Sequence, residues 1–132
     1  MNVLLDTHVW IWSQECPERL GERARAVLAD VETRILLSPV STLEIARLVA
    51  GGDVQLRGKL RDWVRRSRRH LLAEVAPLSD DIAIASYDLT TFHKDPCDRM
   101  LVATARVLRC ALMTADARIL ASRYCGTLNA LH

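Results

Sequence analysis

The chain has 132 residues, 50% of them hydrophobic, with 18 Lys+Arg against 16 Asp+Glu for a net charge of +2. That length and apolar content suffice for one core, so a single domain over residues 1–132 is expected; five glycines and four prolines exclude a collagen-like or disordered chain, and so even a charge balance names no partner. Every apolar stretch is broken before the roughly 18 residues a bilayer crossing needs, and the apolar N-terminus lacks a basic leader before Asp6 interrupts it, so no membrane span and a cytoplasmic location are expected.

Residues 3–5 are apolar without alternation, as in a strand buried on both faces, and Asp6 stands at its carboxyl end. An unpaired charge beside a core costs several kcal/mol, so Asp6 needs something to receive it. Pro17, Leu20, Ala24, Val27 and Leu28 have helical spacing, with proline in the first turn. Residues 33–37 read as the second strand and Ser38–Pro39 as the turn after it. Ser41 or a neighbour then caps a mostly apolar helix that Gly51 and Gly52 stop, with Glu44 embedded in it.

Leu60, Trp63, Val64, Ser67 and Leu71 recur at the spacing of an amphipathic helix. Residues 74–78 predict a short strand, and Ser79, Asp80 and Asp81 open a helix through Ile82, Ala85 and Leu89. Asp95 and Pro96 read as an N-cap and first-turn proline of a helix carrying Met100, Leu101, Ala105 and Leu108 inward. Residues 111–114 form another strand, Asp116 follows, and a helix over 117–122 precedes a short apolar tail at 128–131. Alternating strands and helices with short connections predict a three-layer α/β/α sandwich with a mainly parallel central sheet. Cys16, Cys97, Cys110 and Cys125 form no C-x-x-C pair and read as plain reduced thiols.

Ligands of open parallel sheets bind beyond the carboxyl ends of the strands, which is where Asp6 and Asp116 lie. Glu44 is one turn into the helix after the second strand, and Asp98 is in the first turn of the helix opened by Asp95. Four acids around one cavity cannot all stay ionised without a counter-charge. A divalent cation removes the conflict, and all-oxygen ligation selects Mg²⁺ or Mn²⁺, ions suited to phosphodiester hydrolysis. Each acid also has a structural reading: Asp6 and Asp116 as helix caps, Glu44 as a surface residue, Asp98 as a capping-box partner folded back on the Asp95 amide.

The segments LLDTHVWIW, SPVSTLEIARL, FHKDPCDRMLVATA and LMTADARI, in that order, resemble PIN-domain ribonucleases, specifically VapC-type toxins of bacterial toxin–antitoxin pairs. The resemblance spans nearly the whole chain. It implies a PIN-like fold and a metal-binding acidic quartet falling on Asp6, Glu44, Asp98 and Asp116. It also places the Thr114 hydroxyl near the metal and matches Asp95, which the residues themselves read first as the helix cap. By implication the activity is Mg²⁺- or Mn²⁺-dependent endoribonuclease cleavage of RNA, commonly a tRNA or a ribosomal RNA loop, which inhibits translation. A VapB-type antitoxin and a homodimer are implied as partners. Cys97 stands where relatives often carry an aromatic residue, which bears on local packing. Arg99 reads as an ion-pair partner for a neighbouring acid.

Between Arg57 and His70, seven cations face Asp62 alone, a local charge of +6 that leaves −4 for the rest of the chain. Arg61, Arg65, Arg68 and Arg69 are therefore candidates for RNA contact beside an acidic pocket; a solvated face or a surface for an acidic antitoxin segment are the alternatives. Trp63 is expected in core or dimer packing, and Trp10 and Trp12 in packing the first helix. His8 and His93 are placed near the pocket, in ordinary hydrogen-bonding roles. Asp6 lacks the second Asp two residues on that a haloacid-dehalogenase-like phosphatase needs, and a receiver domain's adjacent acids are missing. The remaining alternative is a catalytically weak PIN-fold binding module acting through a partner, against which an intact quartet speaks.

Overall fold

The computed structural model describes residues 1–92 and 94–132. In chain order it contains β1 (Asn2–Leu5), α1 (Thr7–Glu15), α2 (Glu22–Ala29), β2 (Arg34–Leu37), α3 (Pro39–Ala50), α4 (Leu60–His70), β3 (Glu74–Val75), α5 (Asp80–Ala85), α6 (Pro96–Leu108), β4 (Ala111–Thr114), α7 (Ala117–Ser122) and β5 (Thr127–Asn129). Among the described residues the five strands make one sheet in the order β3-β2-β1-β4-β5, every neighbouring pair parallel.

Alternate side chains of each strand leave by opposite faces, so the unbroken apolar strands feed two cores. Val3, Leu5, Ile35, Leu37 and Met113 join one core with Trp10, Ala24, Ile45 and Trp63. Leu4, Leu36 and Leu112 join the other with Leu101, Val102, Ala105 and Ile119. The result is the three-layer α/β/α sandwich the sequence predicts. Trp10 and Trp63 pair with ring centroids 5.5 Å apart, and the Trp10 indole N–H donates to Ser67 Oγ at 2.9 Å, docking α4 on α1. The expected packing roles of Trp63 and Trp10 hold.

Several boundaries differ from expectation for local reasons. The helix expected from Pro17 breaks: a 3₁₀ turn, Pro17–Arg19, precedes α2, whose N-cap is Gly21. The Gly21 and Arg23 amides donate to Ala130 O and His132 O, and a Cβ at Gly21 would collide with the His132 backbone. Ser38, not Ser41, caps α3, accepting from Val40 N at 3.0 Å, so Pro39 begins the helix instead of marking a turn. The strand expected over 74–78 pairs only at Glu74 and Val75. α5 stops at Ala85 in a 3₁₀ turn, Ser86–Asp88, leaving Leu89 outside it; the Arg99 guanidinium takes the Ser86 carbonyl at 3.1 Å, away from any helical ladder. The apolar tail at 128–131 supplies β5, which pairs with β4 at Thr127 to Asn129. The cysteines are free thiols. Among the described residues no helix is long and apolar enough to cross a membrane.

Candidate metal centre

β1 has β2 on one side and β4 on the other, so the strand order reverses between β1 and β4. A crevice opens at such a switch point because the connections leave in opposite directions. A cavity of about 590 Å³ lies there, lined by Asp6, Glu44, Asp95, Asp98 and Asp116, with His8, Trp12, Arg19, Arg47 and Arg118 among its other walls. The four acids singled out from the sequence thus meet, and Asp95 joins them.

Asp6 follows β1, tied to β4 by its own amide, which donates to Met113 O at 3.0 Å. One carboxylate oxygen accepts from Thr7 N at 2.8 Å and the other from Thr114 Oγ at 2.6 Å. Thr114 Oγ in turn accepts from Asp116 N at 3.0 Å, so one buried hydroxyl fixes both acids. Asp6 therefore caps α1 and faces the cavity, and Asp116 caps α7 while lining the same space. The capping and site readings are compatible because one carboxylate has lone pairs for both.

Glu44 is buried in α3 rather than on the surface, and Thr7 Oγ donates to Ser41 Oγ at 3.1 Å, locking α3 to α1. Asp95 caps α6, accepting from Cys97 N at 2.9 Å and Asp98 N at 3.3 Å. That geometry turns the buried Asp98 to the cavity, where its carboxylate stands 3.9 Å from Arg118.

Crowding leaves its mark on these groups. Burial, then Asp6, Asp95, Asp116 and Glu44, pushes the Asp98 carboxyl up to about 7. Burial also raises Asp6, against the opposing hydrogen bonds from Thr114 and Thr7. Burial opposes ionisation of Asp116 too, but the side-chain and backbone hydrogen bonds from Arg118 outweigh it and hold the carboxyl below its ordinary value.

Among the described residues, the three ligand-type atoms lying within 4.8 Å of one another belong to Glu44, Asp95 and Cys97. Burial, with Glu44 and Asp95 adding to it, pushes the Cys97 thiol up to about 11, so without a cation it stays protonated beside the two carboxylates. Mg²⁺ keeps several waters and takes only one or two carboxylates directly. A looser ring of acids, with Asp6, Glu44 and Asp98 buried and Asp116 half-buried, fits such an ion.

The arginines of α4 meet a different fate. Among the described residues none of α4 lines the cavity. Arg61, Arg65 and Arg69 face solvent, while half-buried Arg68 places its guanidinium 5.3 Å from the Trp10 ring centre and 3.5 Å from Leu37 O. The cations on the cavity wall are instead Arg19, Arg47 and Arg118. Arg47 reaches Glu44 at 3.8 Å in an i,i+3 pair, a spacing visible in the sequence. Arg19 lies 4.2 Å over the Trp12 ring, which forms cavity wall as well as helix packing. Arg99 donates to the Ser86, Leu89 and Phe92 carbonyls, a clamp on the loop before α6 that the sequence reading missed. His8 is at the cavity as expected, and His93 lies outside the described residues.

The PIN domain family model matches residues 3–124. The chain is 28% identical over 124 residues, 93% of each chain, to a protein named Ribonuclease VapC22 from Mycobacterium tuberculosis. Its fold is similar to that in the VapBC-1 structure from nontypeable Haemophilus influenzae, with a TM-score of 0.70, 13% identity and all of both chains covered. It is also similar to that in VapBC2 from Rickettsia felis bound to a promoter DNA fragment, with a TM-score of 0.69, 14% identity and 98% of each chain covered.

Proposed function

The chain belongs to the PIN domain family, and from that premise we propose that its acidic cavity is the divalent-metal centre of an endoribonuclease toxin. The observation that carries the reading is the convergence of Asp6, Glu44, Asp98 and Asp116, from four separate elements, on one cavity at the switch point of the sheet. The similarity to a named VapC ribonuclease supports RNA as substrate. A structured RNA such as a tRNA or a ribosomal RNA loop is the proposed target, its loss halting translation.

Asp6, Asp98, Asp116 and Glu44 would hold Mg²⁺ or Mn²⁺. The ion supplies Lewis-acid stabilisation of charge that builds on the phosphodiester oxygens. The chain's own residues do the rest. Thr114 and the Thr7 amide orient the Asp6 carboxylate, and the Asp95 cap orients Asp98. Arg19, Arg47 and Arg118 at the rim draw phosphates toward a pocket whose acids would otherwise repel them.

A VapB-type antitoxin is the proposed partner, supported by the toxin–antitoxin complexes of similar fold. A homodimer is proposed as well. Leu43, Ile84 and Tyr87, exposed at 66%, 67% and 83%, are apolar surface suited to such contacts. The cytoplasm is the proposed location, where antitoxin and RNA both occur.

The test is cleavage of total RNA by purified protein with Mg²⁺ or Mn²⁺, beside the Asp6→Asn variant. Metal-dependent cleavage lost in the variant is expected. Equal degradation by both overturns the metal centre, and the absence of cleavage of any RNA favours a binding module that acts through its partner.

A further inference from the structure

A second concavity, of about 670 Å³, lies at the opposite end of β4, where Ala111 begins the strand and Gly126 precedes β5. Arg106, Arg109 and Arg123 line it beside Tyr124, Cys110 and Cys125, and no carboxylate is among its described walls. All three arginines are exposed, and no ion pair involves them among the described residues. Burial raises both cysteine thiols, Cys125 to about 11, so neither contributes an opposing charge. Arg106 rests its guanidinium 5.6 Å from the Tyr124 ring centre. The phenol oxygen, bonded to Thr91 at 2.6 Å, fixes that ring.

Arg109 and Arg123 end α6 and α7 in left-handed backbone, with φ of 53° and 61°. A helix C-terminus favours a cation, which accounts for an arginine at each end. It does not account for two arginines holding a conformation better suited to glycine or asparagine, nor for a third turned into the same unopposed hollow. Helix α7 joins this hollow to the acidic cavity: Arg118 is in its first turn and Arg123 at its C-cap, about 7.5 Å apart along the helix.

Resting on the nuclease reading, we propose that Arg106, Arg109 and Arg123 form an anion-binding basin for RNA backbone phosphates flanking the bond held at the acidic cavity. The planar guanidinium forks grip phosphate oxygens bidentately. Arg118, its guanidinium 3.2 Å from Asp116, is the cation at the cavity end of α7. Substrate contact then falls on arginines scattered through residues 106–123 rather than on the run in α4.

The experiment uses the Asp6→Asn chain, expected to bind without cutting, and reads anisotropy of a short fluorescent single-stranded RNA, with bulk tRNA as a second probe. R106Q/R109N/R123N is compared with R61Q/R65Q/R69Q, asparagine being chosen because it accepts the left-handed backbone; unchanged thermal melting confirms folding. The basin variant is expected to lose about tenfold or more in affinity, with the slope of log K against log salt shallower by about 2, as loss of three single-strand phosphate contacts implies. The α4 variant is expected to lose less. Unchanged affinity and slope in the basin variant overturn the inference alone, including the case in which only binding of a polyglutamate peptide is lost. Absence of RNA binding by the Asp6→Asn parent sinks the nuclease reading together with it.

Discussion

Helix α4 and the acidic cavity both crowd like charges, with opposite consequences. Along α4 and the segment before it the cations are neighbours in sequence and are relieved at the surface: Arg57, ahead of the helix, pairs with Glu15 at 3.3 Å, Arg66 donates to Arg57 O at 2.8 Å, and Arg61, Arg65 and Arg69 stand in water. In the cavity Asp6, Glu44 and Asp98 are far apart in sequence and buried together with half-buried Asp116 beside them, and burial plus mutual repulsion drives Asp98 to about 7. Solvent screens the first kind of crowding and not the second. A run of charge in a sequence therefore marks a surface, whereas charge that water cannot relieve marks a place built for a counter-ion.

The largest effect that sharpens this contrast is expected from the cavity. Asp98→Asn should lower metal-dependent RNA cleavage roughly 10³-fold, several kcal/mol of transition-state charge stabilisation. Its melting temperature without metal should stay equal or rise, because a repelled carboxylate is gone. A charge-neutral change in α4 should do the reverse: Trp63→Ala, emptying the contact with Trp10, is expected to cost about 3–5 kcal/mol by denaturant unfolding. The folded fraction should bind Mn²⁺ normally.

Thr114→Val tests whether orientation of the acids matters beyond their presence. It removes the hydroxyl between Asp6 and Asp116 and should weaken Mn²⁺ affinity about 10–100-fold. An unchanged affinity would leave Thr114 an ordinary strand residue.

The pH dependence has a definite sign. Asp98 is raised in the folded state, so the native chain binds more protons than the unfolded one between its ordinary carboxyl range and about 7. Stability is then full below that range and is lost as pH rises through about 7. Asp6, also raised, acts in the same direction. The metal-free melting temperature should fall from about pH 5 to about pH 8 by a few degrees, and the fall should vanish with saturating Mn²⁺ and shrink in Asp98→Asn. The smallest effect belongs to α4: R65Q/R69Q should change melting and cleavage by less than about threefold or 0.5 kcal/mol, exposed charges being worth little.

Much of the site could be read from the sequence because each acid is announced by local chemistry: Asp6 and Asp116 by apolar strands ending beside them, Asp98 by the Asp95–Pro96 helix start, Glu44 by its apolar helix. The alternation of strands and helices carried the layered fold in the same way. What escaped depends on partners distant in sequence. β5 is three residues whose order comes from pairing with β4, and the break at Gly21 comes from the C-terminal backbone lying against it. The α4 run suggested substrate contact because charge density is legible, while direction is not. The contacts of Trp10 with Trp63 and Ser67 show what the apolar face of that helix packs against. Arg19 and Arg118 reach the rim through tertiary placement, and Arg106, Arg109 and Arg123 meet only because two helices end at one corner.

The central claim is that the buried carboxylates gather to hold a divalent cation. Titrating the metal-free protein with Mn²⁺ and following the free-ion electron paramagnetic resonance signal tests it most directly, with Asp6→Asn and Asp98→Asn as folded comparators. Saturable binding by the unaltered chain, weakened at least tenfold in either variant, is the predicted result. Equal binding by all three chains, or no binding by the unaltered one, contradicts it.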